Sequence, residues 1–334
     1  MKKKFVLVLA LALIGSFAFA GFNFSGEALV GYKFDLANGG VSTYGYDSST
    51  AYFSMNATTD FAKIALRTSF TDPTSYNYQE TKAQLSLYLD KALAAKDINL
   101  PVSLTLYLGN ASVSGFYAYD DPNGIVDDNY DGFNSNARDN FPIGIDVGYE
   151  GYTVRTMFDI VGSTADPLFS VKGTPIDGVS FAASYLYANN YIAGSDSEFN
   201  LSAKVDVAKL ADLDFNLSAS AFTVLGIGEN VTGKPVVLAA LTGGKDALSG
   251  SVEYSLNATK DNASSSLGPR IFGGVSYAFT DATVGGGVDY QFEGSITSYS
   301  VYAKTELGGV TYKAVVGGDS EGAAYLKAQA YLAF

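Results

Sequence analysis

The sequence predicts an all-β fold, a transmembrane antiparallel up-and-down β-barrel of 18 strands. Three observations carry this. Apolar and polar residues alternate over segment after segment of about ten residues, the length a tilted strand needs to cross a bilayer. The connections between those segments alternate between short and long. The last segment, Ala324 to Phe334, alternates without a break and ends on an aromatic ring.

The chain of 334 residues opens on Lys2, Lys3 and Lys4, then an apolar stretch from Phe5 to Ile14, then Ala18-Phe19-Ala20. Basic, apolar and small-residue regions in that order form a secretory signal peptide. Residues 1–20 are expected to be removed, leaving one barrel domain over 21–334. Loss of the three leader lysines takes the formal net charge from −13 to −16. So acidic a chain argues against nucleic acid as a partner. It has no Cys, which excludes disulfides and thiolate chemistry, and no His, which excludes Ser-His-Asp catalysis and His-held zinc. Beyond the leader no apolar run reaches helical membrane length, so any span must be made of strands.

The strands follow in order. The first places Phe22, Phe24, Ala28, Val30, Tyr32 and Phe34 on one face, with Ser25, Glu27, Lys33 and Asp35 on the other. Similar patterns predict strands over 22–36, 51–58, 61–70, 82–90, 98–108, 142–149, 152–161, 167–172 and 178–188. They continue over 198–208, 213–224, 235–242, 247–258, 269–279, 282–292, 296–306, 309–317 and 323–334. The segment 167–172 is short, and 235–242 is apolar on both faces; without these two the count is sixteen. The connection over 91–97 breaks the short-turn pattern and is read as a helical turn. The other even-numbered connections are short, such as Thr59-Asp60, Glu150-Gly151 and Leu307-Gly308. The odd-numbered ones mostly run long, up to Gly109–Phe141. This asymmetry puts both termini at the short-turn end. Tyrosines and phenylalanines gather near both ends of the strands, as rings with one polar edge do at membrane interfaces.

A terminal strand ending on Phe334 resembles the closing strand of bacterial outer-membrane β-barrels. That resemblance implies a Gram-negative-type outer membrane, lipid around the barrel, and Phe334 as part of the signal that the barrel assembly machinery reads. The architecture of the mature chain resembles porins, general or substrate-selective. The resemblance implies passive diffusion of small hydrophilic solutes, ion transport, and a homotrimer.

Gly109–Phe141 is the third long loop. It carries Asp120, Asp121, Asp127, Asp128, Asp131 and Asp139 against Arg138 alone. In general porins the third loop folds into the barrel. Alternation turns Arg67, Arg155, Lys313 and Lys327 to the lumen, so an acidic loop facing a basic wall would set a transverse field in the pore. Polar lumens carry such charges in any case. Asp127, Asn129, Asp131 and Gly132 match the start of a calcium loop of the EF-hand type, but Arg138 stands where the closing acid belongs. A calcium site and a solvated acidic turn both fit the pattern. No other cofactor is indicated.

These features point to a channel with cation preference. A sugar-type selective channel is the alternative, with Tyr88, Tyr107 and Tyr331 facing the lumen and Tyr117, Tyr119 and Tyr130 in the third loop. A surface adhesin or structural barrel without a useful pore is another. An enzyme is not expected, since no nucleophile and base are readable together.

Overall fold

The computed structural model describes residues 23–43, 51–72, 77–111, 116–122, 141–161, 164–187, 192–258 and 268–333. The strands are β1 Asn23–Asp35, β2 Val41–Thr43, β3 Ala51–Thr58, β4 Ala62–Asp72, β5 Asn77–Tyr88, β6 Ser103–Ala111 and β7 Phe141–Tyr149. Then come β8 Tyr152–Val161, β9 Thr164–Ile176, β10 Val179–Tyr187, β11 Ser197–Asp206, β12 Asn216–Ile227 and β13 Val236–Lys245. The last six are β14 Leu248–Leu256, β15 Arg270–Ala278, β16 Ala282–Gln291, β17 Ile296–Leu307, β18 Val310–Asp319 and β19 Ala324–Ala333. Two short helices, α1 Leu89–Ala94 and α2 Val207–Leu210, lie between strands.

Each long strand pairs antiparallel with the strands before and after it. The short β2 and the longer β3 both pair with β1, at Tyr32–Phe34 and Asn23–Leu29 respectively, so together they make one interrupted stave. This gives the eighteen staves expected. β1 also pairs with β19, from Glu27 opposite Ala333 to Asp35 opposite Tyr325. Each end strand therefore finds its second partner in the other, and neither is left with an unpaired edge. The sixteen-strand alternative is set aside. β9 pairs with both β8 and β10, and β13 with both β12 and β14.

The two faces differ as period two requires. Leu241, Val275, Val301 and Val316 point outward and are exposed. A water-soluble protein would not leave a belt of this kind open, whereas lipid accepts it. Ser202, Ser220, Glu253, Arg270 and Asp289 sit on the opposite face and are buried.

Turn chemistry sets the register. Glu150 and Gly151 have φ of 47° and 85°, and Gly308 and Gly309 have 60° and 78°. Two-residue hairpins with both central φ values positive suit the right-handed twist of the flanking strands. Thr59 shapes another short turn, its Oγ1 accepting the Ala62 N–H at 3.0 Å. The expected helical turn after β5 is α1. A second, α2, follows β11 and is capped by the Asp206 carboxylate, which accepts the Lys209 N–H at 3.0 Å.

β13 is apolar on both faces because its inner face is covered. Phe222 and Val224 of β12 and Val236, Leu238 and Ala240 of β13 are buried inside the ring with Tyr119 and Ile192. Leu238 is wholly buried, and burial of such a side chain stabilises by about 1.5–3 kcal/mol.

Candidate functional site: a loop segment on the lumen wall

Residues 116–122 belong to the long connection between β6 and β7. They lie against the polar inner face of β11 to β14. The contacts run in sequence. The Ala118 N–H donates to Ser202 Oγ at 2.8 Å, and the Asp120 N–H to Ser220 Oγ at 3.1 Å. Between them the Tyr119 phenol donates to Glu253 Oε2 at 2.8 Å. The Asp120 carboxylate takes an ion pair from Lys204 and a hydrogen bond from Ser218, and it accepts Thr242 Oγ1 at 2.9 Å. Short wall side chains explain the fit. Serines at 202, 218 and 220 leave room for a backbone to approach; Ser202 and Ser220 accept its N–H groups, and Ser218 donates to the Asp120 carboxylate.

Electrostatics follow from this packing. Burial works against ionisation of Asp120, but hydrogen bonds from Lys204, Ser218 and Thr242, with the lysine charge, hold its carboxyl below the ordinary 3.8. Burial pushes the Tyr119 phenol up, and the neighbouring Glu253 charge adds to this, so the phenol stays a donor.

A second contact involves Phe116. Its ring lies under the Arg155 guanidinium at 4.7 Å and the Lys172 ammonium at 5.0 Å, within cation–π range. Arg155 is also forked onto Asp146 of the adjacent strand, through Nε and Nη2 at 2.8 Å each. Tyr107 Oη donates to the same carboxylate at 3.0 Å. Arg155 is thus on the lumen wall, with its charge matched by Asp146 and an aromatic ring of the loop above it. A further buried pair joins Arg270 of β15 to Asp289 of β16, with Nε to Oδ1 at 3.2 Å.

The other expected basic residues lie further round the ring. Lys327 of β19 and Lys33 of β1 are in register and stand over the Tyr325 ring at 5.0 and 5.3 Å. Lys313 of β18 stands over Tyr302 at 5.2 Å and is in register with Lys304 of β17. Arg67 is described by its backbone, on β4 in register with Ser54 and Lys82. Asp121 lies beside Asp120 in the docked segment. Asp127, Asp128, Asn129, Asp131 and Phe334 lie outside the described residues, as do the leader and Tyr130. Among the described residues no cluster of acids with metal-holding spacing occurs.

The strand pattern of the sequence gives no sign that Lys204 receives Asp120. Lys172 and Asp146 were missed likewise. For Asp146 the signal was present, since it and Arg155 are equidistant from the Glu150-Gly151 turn.

Below the docked segment the lumen opens into a cavity of about 700 Å³. Asp120 and Lys204 bound it on one side, and Phe272 and Tyr302 on another. An up-and-down ring with a polar inner wall, a loop segment laid against that wall and a cavity beside it is the arrangement of a known class of structures.

The architecture is porin-like. A triple mutant of the Rhodopseudomonas blastica porin superposes with a TM-score of 0.57 at 15% identity, over 94% of this chain and all of that one. Another mutant of the same Rh. blastica porin gives 0.57 at 14% identity, with the same coverage. A structure described for asymmetric conductivity of engineered proteins gives 0.57 at 15% identity, again over 94% of this chain. No family model matches the chain, and no curated protein matches its sequence. At this level of identity the likeness carries the fold alone.

Proposed function

We propose that the mature chain is an outer-membrane porin, a passive diffusion channel for small hydrophilic solutes with cation preference. The observation that carries this is the segment 116–122 docked on the inner wall above a cavity of about 700 Å³. A ring of eighteen staves is too wide for wall side chains alone to fill. Here a loop segment lines one side, and a cavity of about 700 Å³ lies beside it. Gradients then suffice to drive transport, and no catalytic group is needed.

The remaining assignments belong to the same proposal. Residues 1–20 act as a cleaved leader and Phe334 as the end of the assembly signal. The barrel sits in the bacterial outer membrane, with homotrimer as the form implied by resemblance. The acids Asp120, Asp121, Asp127, Asp128 and Asp131 form one side of the constriction. Arg67, Arg155, Lys313 and Lys327 form the other. The net charge of −16 on the mature chain, from −13 less the three leader lysines, supports cation preference. Calcium at Asp127, Asn129 and Asp131 is the one ion site proposed.

Purified protein in a planar bilayer tests this function. Discrete conductance steps in KCl are expected, with a cation-directed reversal potential across a salt gradient. A folded protein that gives no steps overturns the channel; an anion-directed potential overturns the cation preference.

A further inference from the structure

Charge is balanced beside the docked segment and unbalanced at the short-turn end of the lumen. The charged residues lining the cavity of about 700 Å³ are Asp120, Lys204, Asp206 and Asp246. Asp120 and Lys204 form an ion pair and leave no net charge between them. Ser251, Ser276 and Ser300 add hydroxyls to the lining but no charge. Asp206 and Asp246 therefore supply the net charge of this cavity.

A second cavity, of about 510 Å³, adjoins the first at that end. The two share Asp206, Asn216, Gly244 and Asp246, so a solute moving from one to the other passes both carboxylates. The lysines of the second cavity are already engaged. Lys209 donates to Asp177 at 2.5 Å, and Lys245 to Asp214 at 2.6 Å. Among the described residues neither Asp206 nor Asp246 has an ion-pair partner. Local backbone fixes the position of each. Asp206 ends β11 and caps α2. Asp246, with φ of 54°, takes the left-handed position of the turn between β13 and β14, which Asp tolerates better than most residues.

Resting on the porin function proposed above, we infer that Asp206 and Asp246 are the specificity-determining residues of the channel and select small cations at its short-turn mouth. Two carboxylates fixed where two cavities meet draw cations in and turn anions back over roughly a Debye length, about 10 Å at 0.1 M salt. The docked segment narrows the lumen, but the charge of its Asp120 is cancelled by Lys204 and discriminates little. Charge placed at one end also makes the channel asymmetric. A divalent cation, attracted twice as strongly as K+, reaches the carboxylates directly from one side only.

Zero-current potentials of variants under a KCl gradient test the inference. Asp206→Asn with Asp246→Asn removes both charges and keeps the cap and the turn, since Asn serves at both kinds of position. It should lower the K+/Cl− permeability ratio by roughly threefold at about 0.1 M KCl, and the difference should fade toward about 1 M as screening shortens. Asp246→Asn alone should give part of that loss. Asp60→Asn with Asp281→Asn removes two acids from other turns at the same end, outside both cavities, and should leave the ratio at the wild-type value. MgCl2 added to one chamber at a time should lower the single-channel K+ current of wild type unequally, and the Asp206 and Asp246 double variant should lose that inequality.

Conductance steps with a loss confined to the Asp206 and Asp246 variants support the assignment. Steps with equal loss in both double variants, with no loss in either, or with equal Mg2+ effects from the two chambers overturn it and leave the channel standing. A wild-type potential of anion-directed sign overturns the assignment together with the cation preference. A folded protein that gives no steps overturns the channel and the assignment with it.

Discussion

The Tyr119 phenol donates to the Glu253 carboxylate at 2.8 Å across 134 residues of chain. Both side chains are almost wholly buried. This bond ties the long loop between β6 and β7 to β14 and turns a surface connection into part of the lumen. Tyr119→Phe keeps the ring and its packing on Phe222 but removes the donor. It should destabilise the docked loop by about 1.5–3 kcal/mol, the worth of a hydrogen bond to a charged group. Single-channel traces should become noisier and reach higher conductance. Traces identical to wild type would show that the loop is held without this bond.

Asp120 makes the docking sensitive to acid. Its folded pKa lies below the ordinary 3.8, despite burial, because of Lys204, Ser218 and Thr242. A depressed pKa contributes stability that is fully present above the unfolded value and is lost as pH falls through the folded one. Conductance noise should therefore stay flat from pH 8 to 5 and rise below about pH 4. Asp120→Asn should show the raised noise at every pH. A variant with the wild-type pH profile would assign the transition to another group.

Neighbouring residues on β17 test which face meets lipid. Val301 points outward and is 59% exposed, while Ser300 lines the lumen cavity. Val301→Lys should lower stability by up to about 2–4 kcal/mol, the cost of a lysine on the lipid face near mid-bilayer. Ser300→Lys should leave stability nearly unchanged and alter ion selectivity. Urea unfolding in lipid vesicles measures both. Equal losses would contradict the assignment of faces.

Much of this was legible in the sequence, and the exceptions have physical causes. Period two and turn residues indicated eighteen staves, with β9 and β13 in doubt, because a stave with one apolar and one polar face must alternate. β13 was doubtful for a sound reason. Its inner residues Val236, Leu238 and Ala240 are apolar because a loop covers them, and strand periodicity cannot report a distant segment. Where a stretch reads as apolar on both faces in such a barrel, an inward-folded loop is the physical cause to look for. The landing point of Asp120 on Lys204 was not readable, since 84 residues separate them and only the closed ring brings them together. The partner of Arg155 could have been counted back from the Glu150-Gly151 turn, with Asp146 opposite it.

Lys327 tests the basic side of the lumen. It stands over Tyr325 beside Lys33. Lys327→Glu reverses one charge in that group and should shift the reversal potential further toward cations. A potential equal to that of wild type would place Lys327 away from the ion path.

The most direct measurement of the central claim is the zero-current potential of the purified wild-type protein in a planar bilayer under a KCl gradient. A water-filled lumen with net negative lining predicts discrete conductance steps and a potential of cation-selective sign. A potential of anion-selective sign, or a folded barrel that conducts nothing, would contradict it.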